Sequence, residues 1–163
     1  MRYRIYSDGS TRGNGRKDAV GAWAYVIVDD NDNILAEGCE SEVGTTNQRM
    51  ELVGALMGLE CAFKEMKMGD YICLYTDSAY LHNCYTQRWY ANWITNGWKN
   101  TKKQPVANAD VWEKLVPYFE AWGISFNKVK GHAGDKWNEY VDTLAQTAAE
   151  KRKEEVKNAD SNN

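Results

Sequence analysis

The chain is predicted to fold as an α/β domain, a mixed five-stranded sheet with three antiparallel and two parallel strands flanked by helices, and three observations predict this. Residues 3–7, 21–29 and 34–41 are short runs rich in β-branched and aromatic residues, separated by turn sequences. The period then becomes helical over 48–66, with Leu52, Leu56, Leu59, Phe63 and Met66 recurring on one face. A strand at 71–76 follows that helix directly, as in a crossover that adds a parallel strand.

Taken in order, the strand at 3–7 stops at Asp8-Gly9, and GAWAYVIVD at 21–29 leads into the turn Asp30-Asn31-Asp32-Asn33. With 34–41 they make a meander of antiparallel hairpins. Thr46 or Asn47 caps the helix, Gly69-Asp70 breaks it, and YICLYT at 71–76 leads to Asp77. Residues 78–122 form helical pieces carrying Trp89, Trp93, Trp98 and Trp112, interrupted at Gly97 and at Gln104-Pro105. The last piece, 109–122, is amphipathic and sends Trp112 to the core. A fifth strand is expected at 124–130, a glycine-containing loop at 131–137, and a final helix from 138 to about 152 with Val141, Leu144, Ala145 and Ala148 inward. The polar, mixed-charge residues 151–163 are expected to fray, which leaves one domain at 1–150. In this order the first and fourth strands can lie side by side, so that Asp8, Asp77 and Glu51 reach one place.

Composition narrows the class. A chain of 163 residues, 43% hydrophobic and with seven tryptophans, is large enough to bury one substantial core. Cys39, Cys61, Cys73 and Cys84 lie 22, 12 and 11 positions apart, form no C-x-x-C pair and meet only two histidines, which argues against zinc. They read as thiols of a reducing compartment. The N-terminus enters a strand at once, with no apolar run long enough for a signal peptide or a membrane span, so the cytoplasm is the expected location. A net charge of -3 speaks against a nucleic-acid partner, but its distribution does not: residues 78–109 contain no acid and carry Arg88, Lys99, Lys102 and Lys103. A local basic surface is predicted on an acidic protein.

Four carboxylates stand out from 23 because each borders an apolar element: Asp8 after Ile5-Tyr6, Glu51 beside the helix stripe, Asp77 at the end of YICLYT, and Asp142 beside Val141. Acids at such edges need partners, a cation would supply one, and hard oxygen donors favour Mg²⁺ or Mn²⁺. Two such ions can activate a water and stabilise the departing oxygen of a phosphodiester. His132, in the loop Lys130-Gly131-His132-Ala133-Gly134, is either a surface histidine or a proton carrier near neutral pH. His82, beside Leu81 in a helix, reads as structural. Asn14 is a turn former or a minor-groove contact, Asn47 a helix cap or such a contact, and Gln48 has the same donor and acceptor chemistry. Trp89, Trp93 and Trp98, among basic residues, pack on deoxyribose or on the core. The glycines of Gly13-Asn14-Gly15 lack a third partner at dinucleotide-loop spacing and are followed by a strand; with Gly9 they read as points of close approach to a polynucleotide.

SDGSTRGNG at 7–15, TTNQRMEL at 45–52, YTDSAY at 75–80, the Asn92-Trp93, Gly97-Trp98-Lys99 and Pro105-Val106-Ala107-Asn108 segment, and VKGHAGDKWNEYVD at 129–142 stand in the order found in one family. In combination they resemble the bacterial-type ribonuclease H of type 1 over about residues 1–150. The resemblance implies a ribonuclease H-like fold and endonucleolytic cleavage of the RNA strand of RNA/DNA hybrids, largely independent of sequence, leaving 5′-phosphate and 3′-hydroxyl ends. It implies Asp8, Glu51, Asp77 and Asp142 as ligands of two Mg²⁺ ions, or Mn²⁺, and His132 as a mobile proton shuttle. Asn14, Asn47 and Gln48 match minor-groove contacts, and Thr46 and Asn108 a pocket for a DNA phosphate. Trp89 and Trp93 match the lining of a DNA channel, and Asn138 and Glu139 lie near the scissile position. A monomer with a hybrid duplex as its partner and no obligate protein partner is expected. Three departures bear on affinity: Ala79 in place of a longer side chain, Gly15-Arg16 in place of Pro-Gly, and the neutral Ile94-Thr95-Asn96 in the basic protrusion. The ribonuclease H part of a reverse transcriptase and a non-catalytic hybrid-binding protein are the rival readings.

Overall fold

A computed structural model describes residues 1–129 and 135–161. Strands β1 (Arg2–Arg12), β2 (Val20–Val28), β3 (Ile34–Val43), β4 (Tyr71–Thr76) and β5 (Ile124–Lys128) form one sheet in the order β3-β2-β1-β4-β5. The first three pair antiparallel, while β4 runs parallel to both β1 and β5. This is the predicted mixed sheet. The Asp29 carboxylate closes the β2–β3 turn by accepting from the amides of Asn31 and Asn33, each at 2.9 Å.

Helix α1 (Asn47–Glu65) covers one face of the sheet together with α2 (Ala79–Gln87), α3 (Trp89–Asn96) and α4 (Ala109–Phe119). Ile5, Leu52, Leu59, Leu74 and Trp112 are buried there. Helix α5 (Lys136–Ser161) covers the other face, where Val26, Trp137, Val141 and Ala145 pack and Tyr6 stacks on Tyr75. Trp112 is fully buried, as its place on an amphipathic helix predicts.

Several boundaries differ from expectation. Strand β1 does not stop at Asp8-Gly9 but continues to Arg12, because Gly9 has no side chain to block the helix that crosses it. A Cβ there would lie 2.5 Å from the Glu51 amide nitrogen and 2.7 Å from the Met50 carbonyl carbon. The absence of a side chain at Gly9 therefore serves helix-on-strand packing rather than a polynucleotide. Gly54 repeats the device one turn along, where a Cβ would meet the Asp8 carbonyl oxygen at 3.0 Å. On α1 the expected stripe breaks down at Phe63, which is half exposed and packs edge-on against Tyr118. Ala62 takes the inward position. Helix α5 ends at Ser161 and not near Arg152. Its last turns are rich in Lys and Glu, good helix formers, and Arg12 donates to Glu150 at 3.2 Å where α5 passes the end of β1. None of the helices in the described residues is long and apolar enough to cross a membrane.

Candidate active site

The parallel pairing of β1 with β4 sets the site. Ser7 is the register partner of Thr76, so the next residues, Asp8 and Asp77, leave the sheet side by side. Thr46 caps α1 by accepting from the Arg49 amide at 3.1 Å, which starts the helix early enough for Glu51 to lie in its first turn and a half. Crossing at Gly9 then lowers Glu51 onto Asp8. Carboxylate oxygens of Asp8, Glu51 and Asp77 all come within 4.8 Å of one another.

Their charges oppose one another in a partly dry place. Burial pushes the Asp8 carboxyl up to about 9, the Asp77 charge and a hydrogen bond with Asp142 add to this, and the Gly9 amide at 2.9 Å offsets it in part. Burial also raises Glu51, against a hydrogen bond from Ser78. Asp77 is raised by burial and by Asp142. Among the described residues no Lys or Arg forms an ion pair with any of these acids. Three converging oxygen donors, electrostatically unsatisfied and with no histidine or thiolate among them, fit a hard divalent cation.

Asp142, half-buried on α5, stands close enough to perturb both Asp8 and Asp77, and its carboxylate accepts from Gln146 at 2.9 Å. It lies at the margin of the triad rather than within it. The second helix face thus closes the cleft from the far side of the sheet. Asp135 accepts from the Asn138 amide at 3.0 Å at the start of α5, and Asn138 itself is buried. Glu139 is exposed one residue on. His132 lies outside the described residues.

The amide-bearing residues gather beside the acids. The Asn14 side-chain oxygen accepts from the Asn47 amide at 3.0 Å, which ties the β1–β2 loop to the start of α1. Asn47 in turn donates to Glu51 at 3.3 Å, and Thr46, not Asn47, is the helix cap. Gln48 is exposed on the same turn. Thr46 and Asn108 stand on either side of Arg49, whose guanidinium donates to the Asn108 side-chain oxygen at 3.3 Å and grips Asp110 at 3.0 and 2.7 Å. Trp89 and Trp93 are half-buried and line, with Asn92, Asn96 and Lys99, an open cavity of about 400 Å³. Trp98 packs on Trp93 with ring centroids 5.8 Å apart and extends this aromatic wall into the core.

Sequence reasoning missed Ser78, Arg49 and Asp110, and gave Gly9 a different role. Ser78 adjoins Asp77 and caps α2 through the Leu81 amide at 3.1 Å, a capping signal legible in Thr76-Asp77-Ser78. Nothing local marks Arg49 and Asp110, whose partners are distant in the chain.

The RNase H family model matches residues 1–150. The ribonuclease H of Syntrophomonas wolfei is 42% identical over 144 residues, covering 88% of this chain and 93% of the relative. That of Nitratidesulfovibrio vulgaris is 38% identical over 153 residues, covering 91% of this chain and 89% of its own. Among solved structures, LC9-RNase H1, a type 1 RNase H with the type 2 active-site motif, is 28% identical and superposes with a TM-score of 0.73, over 91% of this chain and 72% of that one. A sheet that brings Asp8 and Asp77 together, a helix that adds Glu51, and this extent of similarity agree: the chain belongs to the RNase H family.

Proposed function

We propose that this enzyme hydrolyses the RNA strand of RNA/DNA hybrids, leaving 5′-phosphate and 3′-hydroxyl ends, at a centre formed by Asp8, Glu51, Asp77 and Asp142. The observation that carries the reading is the convergence of three buried or half-buried carboxylates within 4.8 Å in a chain of this family. Two Mg²⁺ ions, with Mn²⁺ as a substitute, would supply water activation and leaving-group stabilisation there. The chain's own residues orient these ligands: the Gly9 amide holds one Asp8 oxygen, Asn47 holds one Glu51 oxygen, and Gln146 holds one Asp142 oxygen.

Substrate choice follows from the neutral donors. With its oxygen engaged by the Asn47 backbone, the Asn14 amide group is left to donate, which suits 2′-hydroxyls and base edges in a minor groove. Asn47 and Gln48 continue that edge. Thr46 and Asn108 form the phosphate pocket for the DNA strand, and the Trp89–Trp93 cavity takes its sugars. Asn138 and Glu139 flank the scissile position from α5. Such contacts read backbone shape and sugar, so cleavage is largely sequence-independent and affinity falls as salt rises. The four free cysteines support a reducing compartment such as the cytoplasm as the place of action, and we read the enzyme as a monomer there.

Cleavage of a labelled RNA/DNA duplex in Mg²⁺, beside RNA/RNA and DNA/DNA controls, tests the proposal. Cutting of the RNA strand in the hybrid alone is expected; equal cutting of all three duplexes, or of none, overturns it. His132→Ala is expected to slow turnover by about 100-fold without abolishing it, the low end of the range for a lost proton-transfer group. A variant indistinguishable from the parent in a single-turnover and multiple-turnover comparison would remove His132 from the mechanism. Because Ile94-Thr95-Asn96 is neutral and Ile94 half exposed on α3, hybrid affinity at matched salt should be lower than in relatives with a full basic protrusion. Fluorescence titration at two salt concentrations measures it.

A further inference from the structure

Thr46 and Asn108 come from different elements, the starts of α1 and α4, and one residue touches both. The Arg49 amide donates to the Thr46 hydroxyl oxygen at 3.1 Å, and the Arg49 guanidinium donates to the Asn108 side-chain oxygen at 3.3 Å. Asp110 accepts from both terminal nitrogens of the same guanidinium, at 3.0 and 2.7 Å, which fixes its plane. Asn108 has left-handed backbone (φ 61°, ψ 27°) and makes no capping bond to its own helix, so Arg49 is its side chain's orienting partner.

The consequence lies in which atoms remain. Arg49 uses an acceptor on each residue, leaving the Thr46 hydroxyl proton and the Asn108 amide protons as the groups presented outward. A phosphate carries acceptors alone, and a pocket for it must present donors. A reversed Asn108 amide would turn an acceptor toward the phosphate and place its amide group against the guanidinium.

We propose that the Arg49 side chain, held by Asp110, is the positioning residue that turns the Asn108 amide outward as a donor beside the Thr46 hydroxyl for a phosphate of the bound DNA strand, an inference that rests on the hybrid-cleaving reading above. Arg49 itself does not serve as the phosphate ligand, because its charge is already matched by two hydrogen bonds to Asp110.

Steady-state cleavage of a labelled hybrid in Mg²⁺ by the full chain and by Arg49→Met, Asn108→Ala and the double variant tests this. Wild type that leaves the hybrid uncut overturns the activity, and the inference with it. If wild type cuts, Arg49→Met is expected to raise KM about 5- to 20-fold with kcat within about twofold, the effect of one misplaced polar contact. The double variant should be no worse in KM than Asn108→Ala alone, and the salt dependence of KM should keep its slope. Unchanged KM, additive effects, or a slope smaller by about 1, the signature of a direct phosphate contact, each overturn the assignment. Should Arg49→Met fail to fold by circular dichroism, Arg49→Lys is the replacement. It keeps the charge but loses the planar fork, and the same KM rise is expected, with unchanged KM counting against the proposal.

Discussion

Asp8→Asn lowers turnover of the hybrid by at least about 10³-fold while leaving hybrid affinity within a few-fold, and it makes the metal-free protein more stable at pH 8. The first part follows from removing the most buried of the converging carboxylates, the second from the site's electrostatics. Asp8 binds its proton more tightly folded than unfolded, since its carboxyl is raised from 3.8 to about 9. The folded state therefore loses stability as pH rises through that interval, and asparagine abolishes the loss. Below the ordinary carboxylate value Asp8 is protonated in both states and the advantage of asparagine disappears. Solvent and the other acids share the strain, so a gain of about 1–3 kcal/mol is expected, or roughly 2–10 °C in melting midpoint for a chain of this size. Added Mn²⁺ should raise the midpoint of the parent more than that of the variant. Thermal melts at pH 4 and pH 8, with and without the ion, measure all of this; a variant less stable at pH 8, or fully active, would refute the site.

Gly9→Val has the second large effect, on stability and activity together. The new Cβ would stand 2.5 Å from one backbone atom of α1 and 2.7 Å from another, and backbone at the start of a long packed helix has no rotamer with which to yield. The helix must withdraw from β1, at a cost of about 3 kcal/mol, which lowers the melting midpoint by roughly 6–12 °C. Glu51 withdraws with it, so stabilisation by Mn²⁺ and turnover should fall even at temperatures where the variant is folded. Gly9→Ala should show the same pattern in milder form. An alanine variant with the parent's midpoint and turnover would mean that α1 does not depend on this contact.

The two results concern different levels of the site. Asp8 reports what the cluster does with charge, and Gly9 reports how the cluster is brought together. Arg49 shows the same division on the proposed substrate side, where its guanidinium, carried on α1, holds Asn108 and Asp110 at the start of α4 without touching the proposed phosphate.

Much of this was legible in the chain. The alternation in β1 to β3, the helical stripe of α1 and the run YICLYT state their own conformation, since period and side-chain branching act between near neighbours. The acids at Asp8, Glu51 and Asp77 were visible because each interrupts such a pattern at its edge, and the motif order in 1–150 pointed to the RNase H family. Phe63 departs from the predicted stripe because a recurrence at three or four residues leaves the boundary of the apolar face to the neighbouring element, here Tyr118 on α4. The end of α5 is not legible in local polarity, because Lys- and Glu-rich turns sustain a helix already nucleated and anchored by Val141, Ala145 and Ala149.

Local pattern carried the identity and order of the elements and the chemical type of the centre, all of which depend on residues within a few positions of one another. Packing decided that β1 passes beneath α1, that Asp142 stands at the margin of the triad, and that Asp8 holds its proton far above the ordinary range. Those outcomes depend on desolvation and on charges supplied by β4 and α5, and no residue's own neighbourhood in the chain contains either.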